Sequence, residues 1–228
     1  MYKRQLQEAV KSNNAHAGIA LDGDADRIVL VDEKGKVVDG DQILGALANA
    51  WLKTDELNGG GIVTTVMSNL GLELYLNSKG LKLCRTHVGD RYVLEYMRQH
   101  GYNLGGEQSG HIILSDYAST GDGIIAALQI LSIALTEGKS ISDVTCLFDP
   151  VPQLLRNIKV KDANKFDDTI LRSISETAEK QIGKRGRVLI RKSGTEQVLR
   201  IMVESEDEVL MLKLVDDINS KLLECEVK

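Results

Sequence analysis

Apolar residues along this chain come in short runs set off by glycine- and aspartate-rich punctuation, and the period of the runs keeps switching. "AGIAL" (17–21) and "RIVLV" (27–31) read as two strands around a polar loop. "DEKGK" is a tight turn, and "VVDGDQ" leads into a helical pattern from about Asp41 to Lys53. "GGGIVTTVMSN" predicts a buried strand with Ser68 or Asn69 as the following helix cap. "LGLELYLNSKG" is that helix, with Gly80 suited to follow its last turn.

The alternation continues. "LKLCRTHVGD" predicts a strand and loop, "RYVLEYMRQHG" a helix, and "YNLGGEQSGHIIL" two strands around a glycine-rich loop. "TGDGIIAALQILSIALTEG" predicts a long buried helix. The only two prolines fall in "LFDPVPQ", which marks a boundary. Beyond it the order is strand ("LLRNIKV"), helix ("DDTILRSISETAEKQIG"), strand ("GRVLIRKSG"), strand ("QVLRIMVES") and helix ("EDEVLMLKLVDDINSKLLE"). The expected fold class is α/β, a mixed sheet sandwiched by helices, followed by a smaller α+β carboxy-terminal domain.

Composition narrows the classes of function. The chain has 228 residues, 43% hydrophobic and 27% charged, with a net charge of -5. No basic field favours nucleic acid or an anionic membrane. The longest apolar stretch is too short to span a bilayer and contains Gln129 and Ser132. Cys84, Cys146 and Cys225 are odd in number and widely spaced, which argues for a reducing cytoplasm and against a zinc or disulfide framework.

Four loops carry the chemistry. "DGDADR" sets Asp22, Asp24 and Asp26 on alternate residues between two apolar strands. Carboxylates so close repel unless a cation lies among them, so the loop is either a hard-cation site or a plain polar turn. An EF-hand is excluded, because its sixth position is Arg27 where glycine must turn the chain, and Ile28–Val31 follow where polar ligands belong. "RKSGTEQVLR" gathers Arg191, Lys192, Ser193, Gly194, Thr195 and Arg200, which is either a phosphate grip or a solvated hairpin turn. "GGEQSGH" places Glu107, Ser109 and His111 on alternate residues. That set suits sugar hydroxyls, with His111 available as acid or base; the plain alternative is a glycine turn with a structural histidine. "RTHVGDRYV" puts Asp90 and Arg91 at a helix start, either an anion site or a cap.

Taken in this order, the loops resemble the α-D-phosphohexomutase family, and most closely its glucosamine-phosphate branch, over nearly the whole chain from about Leu6. The resemblance implies Mg²⁺ held by Asp22, Asp24 and Asp26. It implies sugar recognition by Glu107, Ser109 and His111, with Asp90 and Arg91 also expected to bind substrate, and makes His111 a candidate proton shuttle. It further implies a phosphate site at Arg191, Ser193, Gly194, Thr195 and Arg200, with a hexosamine phosphate as substrate and a cytoplasmic setting. Gln108, "MSNLGLE" and "VGDRYV" tilt the match to glucosamine phosphate over mannose or glucose phosphate, which remain alternatives within the family.

Departures shape the domain reading. The family's phosphorylated serine lies in a T-A-S-H-like loop; here "CRTHVG" lacks the serine and "YAST" lacks the histidine. Gln197 stands where a proline commonly follows the phosphate-loop glutamate. The expected division is a remnant of a preceding α/β domain over residues 1–27, a sugar-recognition domain over 28–148 and a phosphate-binding domain over 149–228, with amino-terminal domains of the same protein as missing partners. "MYKRQ" back-translates to a sequence like a transposon end used in DNA library preparation, so residues 1–5 are expected to be foreign. A stand-alone sugar-phosphate-binding module without turnover is the alternative of a different class.

Overall fold

The computed structural model describes residues 2–183, 186–193 and 196–227. The chain divides between Asp149 and Pro150 into two compact units. The expected boundary at 27/28 falls inside a hairpin: β1 (Ala17–Leu21) pairs antiparallel with β2 (Ile28–Asp32), Leu21 opposite Ile28. A short β3 (Val37–Val38) completes a three-stranded sheet with β2 at its centre. Asp32 closes the β2–β3 turn by accepting from the backbone N–H groups of Lys34 and Lys36.

A helix that patterning missed opens the first unit. In α1 (Tyr2–Ser12), Leu6, Ala9 and Val10 fall at helical spacing, a pattern the sequence reading passed over. Leu6 and Val10 pack on β1 at Gly18, where a Cβ would strike Val10 Cγ2 and Leu6 Cδ1, and Gln7 donates to the Gly35 carbonyl.

The second sheet is mixed. β4 (Gly61–Thr65) lies between β5 (Lys82–Thr86) and β6 (Leu104–Gly106), parallel to both, and β7 (Ile112–Leu114) is antiparallel to β6. Strand alternation sorts its side chains onto two faces. Ile62, Leu104, Ile112 and Leu114 join a core with α2 (Gly40–Thr54), α3 (Leu70–Ser78) and α5 (Gly123–Glu137), while Val63 and Ile113 pack under Val93 and Met97 of α4 (Asp90–His100). This is the expected sheet between helix layers. Caps follow the sequence: Asp39 accepts from Gln42 N–H, Asn69 from Gly71 N–H and Asp122 from Ile124 and Ile125 N–H. A short helix α6 (Ile141–Thr145), capped by Ser140, closes the unit.

α5 departs from the expectation of burial all round. Ala126, Ala127, Ile130 and Ala134 face the core, but Ile124, Leu128 and Leu135 are exposed, Leu135 at 83%. A helix laid on one side of a sheet buries one stripe only, and mean apolarity does not report that. No helix among the described residues is long and apolar enough to cross a membrane.

The second unit is an antiparallel sheet, β8 (Gln153–Lys159), β10 (Val198–Ser205) and β9 (Gly186–Lys192), with β10 central. Leu199, Ile201 and Val203 alternate into the core. They meet Leu171, Ile174, Ala178 and Ile182 of α7 (Asp168–Ile182) and Met211, Leu214, Val215, Ile218 and Leu222 of α8 (Glu208–Val227), both at helical spacing.

Candidate functional site

The β1–β2 hairpin loop folds Asp22, Asp24 and Asp26 toward one another, with a carboxylate oxygen of each within 4.8 Å of the others. Ala25 sits at φ +60°, a left-handed conformation that costs a non-glycine residue about 1 kcal/mol or more. The loop is held by Ala25 N–H to the Asp22 carbonyl, Arg27 N–H to Asp22 Oδ1 and Gly123 N–H to the Ala25 carbonyl. Burial, and next a hydrogen bond from Asp22, raise the pKa of Asp26, while its bond with His111 opposes the rise. Three hard oxygen donors this close, one reluctant to ionise, fit a divalent cation such as Mg²⁺.

The loop between β6 and β7 lies against this hairpin. Ile28 N–H donates to the Gly110 carbonyl, and Arg27 bridges His111. Glu107 organises the loop from within: its N–H donates to the His111 carbonyl, and its carboxylate accepts from Ser109 Oγ at 3.3 Å and Gly89 N–H at 3.2 Å. The "VGDRY" and "GEQSGH" segments, far apart in sequence, thus meet at one carboxylate. Gly110, at φ +99°, and Gly40 make the fit possible; a Cβ on Gly40 would collide with the Glu107 carbonyl. Gly40 N–H instead donates to the Gln108 carbonyl.

The six candidate residues of this unit besides Asp22 and Asp24 do not all converge. Glu107 and Ser109 line an open cavity of about 430 Å³ together with Lys3, Asp39, Thr65, Met67, Val88 and Gln108. His111 does not open onto it: the ring is 2% exposed, with Nδ1 on Asp26 Oδ2 at 3.0 Å and Nε2 3.9 Å from Asp90 Oδ2. Arg91 lies over the Tyr92 ring at 5.0 Å. The sequence reading missed Lys3, Asp39, Thr65 and Val88 as lining residues. Asp39 had a signal, since it precedes Gly40 and an apolar-periodic helix as a cap would. Burial raises its pKa against the pull of Gln42 and Asp41 N–H groups.

In the second unit, Arg191 and Arg200 are directly opposed across β9 and β10. Arg200 Nη2 reaches Ser193 Oγ at 3.4 Å, and its Nε is buried with no hydrogen-bond partner among the described residues. Burial lowers the pKa of Arg191, and the neighbouring Arg200 lowers it further. Like charges opposite each other destabilise a sheet unless an anion separates them. Gly194 and Thr195 lie outside the described residues. Gln197 ties the end of the loop to the body, accepting from Ala163 N–H through its side chain and from Val160 N–H through its carbonyl.

An α/β unit with an acidic hairpin and a glutamate-centred glycine loop, followed by an α+β unit with a paired-arginine turn, defines a class, and comparison with known proteins identifies it. Models of the phosphoglucomutase/phosphomannomutase family match the chain in succession: α/β/α domain II over residues 2–35, α/β/α domain III over 39–150 and the C-terminal domain over 155–221. The chain belongs to this family. It is 54% identical over 213 residues to a phosphoglucosamine mutase of Brucella anthropi and 55% identical over 210 residues to one of Parvibaculum lavamentivorans. These alignments cover 93% and 92% of the chain and 47% of each relative, so the chain spans about half the length of the curated relatives it matches. Among solved structures, a family protein of Burkholderia thailandensis matches 98% of the chain and 50% of its own with a TM-score of 0.79 at 21% identity. Aspergillus fumigatus N-acetylphosphoglucosamine mutase, in complex with GlcNAc-6P and magnesium, matches 90% of the chain and 51% of its own with a TM-score of 0.73 at 21% identity. At that identity the two structures support the fold.

Proposed function

We propose that this chain supplies the metal-, sugar- and phosphate-binding parts of a cytoplasmic phosphoglucosamine mutase, which interconverts glucosamine 6-phosphate and glucosamine 1-phosphate through a phosphoserine and a bisphosphate. The strongest support is the identity, across nine-tenths of the chain, with relatives named for that activity. Asp22, Asp24 and Asp26 would hold Mg²⁺, which when bound neutralises charge on a transferring phosphoryl group. Glu107 accepts from a sugar hydroxyl, and Ser109, whose own proton goes to Glu107, accepts from another. Arg191, Ser193 and Arg200 grip phosphate oxygens, an anion relieving the repulsion of the two guanidinium groups.

Residues 1–228 contain no T-A-S-H-like loop, and removing a covalent nucleophile removes the reaction path itself. The purified chain is therefore expected to bind but not to turn over. Calorimetric titration should show glucosamine 6-phosphate binding more tightly than mannose 6-phosphate. Arg200→Ala should weaken sugar phosphates and inorganic phosphate alike, by about tenfold for a lost charge-assisted contact. Glu107→Gln should weaken the sugar phosphates alone. Formation of glucosamine 1-phosphate by the chain, free of host mutase, would contradict the reading, as would indifference to both substitutions.

A further inference from the structure

Asp39 holds two positions at once. Its Oδ1 caps α2 by accepting from Gln42 N–H at 3.0 Å, and the residue also lines the open cavity that holds Glu107 and Ser109. The cap uses only part of what a carboxylate can accept. Lys3 and Lys36 act on it through space, yet neither forms an ion pair with it among the described residues. Burial is the larger influence and raises its pKa, as it does for a carboxylate left without a cation.

The main chain fixes this carboxylate beside the glycine loop. Gly40, the next residue, donates its N–H to the Gln108 carbonyl at 3.0 Å, and a Cβ on it would meet the Glu107 carbonyl at 2.1 Å. Asp39 and Glu107 therefore border one space from two segments that cannot drift apart without breaking that contact.

The other groups around the space are poorer seats for a positive charge. Met67 and Val88 are apolar, and Thr65 and Gln108 are neutral. Glu107 already accepts on both oxygens, from Gly89 N–H at 3.2 Å and from Ser109 Oγ at 3.3 Å. Lys3, exposed, is a cation in the same lining and would repel another.

We infer that Asp39 selects for an amino sugar: its carboxylate takes the 2-ammonium group, while Glu107 and Ser109 read hydroxyls that glucosamine and glucose phosphates share. The inference rests on the proposal that this cavity receives the sugar. An ammonium offsets the cost of the buried charge and forms a charge-assisted bond on both sides, whereas a 2-hydroxyl supplies only a neutral donor.

Calorimetric titration at about pH 6.5, where a sugar amine is protonated, compares glucosamine 6-phosphate with glucose 6-phosphate, which differ only at C2. Wild type should bind the amino sugar about tenfold more tightly. Asp39→Asn keeps an oxygen to cap α2 but loses the charge. It should bring the two ligands to within about twofold of each other, by weakening the amino sugar alone. Lys3→Met removes the competing cation and should widen the preference. Fluorescence of Trp51, which lies on α2 itself, reports folding. A residue that served only as a cap would leave the ratio of the two affinities untouched. A folded Asp39→Asn with the wild-type ratio overturns the inference, and if that variant does not fold, Asp39→Ser, which also caps, is read in its place. Wild type that binds both sugars alike overturns it with no variant at all. Wild type that binds neither removes the reading of the cavity as a sugar site, a failure distinct from that of Asp39.

Discussion

Replacing Asp41 by Asn is expected to stabilise the first unit at neutral and alkaline pH and to flatten its pH dependence. Asp41 is 1% exposed in the first turn of α2, where Oδ2 accepts from the N–H of Asn69, the cap of α3. Burial lifts its pKa from 3.8 to about 7, and the nearby Asp39 carboxylate adds to the rise, against the pull of Asn69 N–H, Ser68 and Arg85. A carboxyl whose pKa is raised on folding contributes most when protonated in both states. As pH climbs from about 4 to about 7 the unfolded chain releases its proton first, so stability falls by up to about 1.4 kcal/mol per pH unit. An amide mimics the protonated acid and avoids this loss. Urea unfolding followed through Trp51, the only tryptophan and buried in this core, should show the gap between variant and wild type widening by about 3 kcal/mol from pH 5 to pH 8. A gap that does not change with pH would mean that Asp41 ionises freely in the folded protein.

The second large effect belongs to the sheet that carries the paired arginines. Glu204 is fully buried on β10, between its cross-strand neighbours Arg187 and Gln153. Arg187 Nε donates to Oε2 at 2.7 Å and Gln153 Nε2 to Oε1 at 3.0 Å. Removing one partner of such a pair leaves a buried charge, so Arg187→Ala should cost about 3–5 kcal/mol. Replacing both charges by apolar residues, Arg187→Met with Glu204→Leu, should recover most of that loss, because the pair's attraction largely offsets its own desolvation. Amide exchange across β8, β9 and β10 is the readout. Protection in the single variant should fall by about two to four orders of magnitude, and the double variant should return toward wild type. A single variant as protected as wild type would show that water already reaches Glu204.

How much of this was legible in the sequence depended on the kind of signal. The acidic hairpin was, because three carboxylates on alternate residues are chemically conspicuous without any neighbours. The sheet-and-helix order was, because the runs from β4 to α5 alternate between glycine-rich loops, and Asn69 was one of two residues read as a cap. Helix α1 was legible too, with Leu6, Ala9 and Val10 at helical spacing, and the sequence reading passed over it. The exposed stripe of α5 was hidden, because a sequence apolar on every face does not say which face is covered. Asp41 stood in the sequence only as the start of a helical pattern; its burial involves the cap of α3, a contact 28 residues away. His111 looked like one of three loop residues pointing together, yet its ring is buried against Asp26 while Glu107 and Ser109 line the cavity. Pairwise spacing predicts which residues share a loop; long-range strand pairing decides which side of it they occupy.

The central claim is that Asp22, Asp24 and Asp26 form a metal site in this chain, and a Mn²⁺ titration of wild type against Asp24→Ala tests it most directly. With three carboxylates and water as ligands, Mg²⁺ should bind in about the millimolar range, near 4 kcal/mol. Mn²⁺ should bind more tightly, following the general order of divalent affinities. Asp24→Ala should lose nearly all of the relaxation enhancement while keeping the Trp51 fluorescence of the wild type. Superimposable curves for the two proteins would contradict the claim and leave the hairpin loop a polar turn.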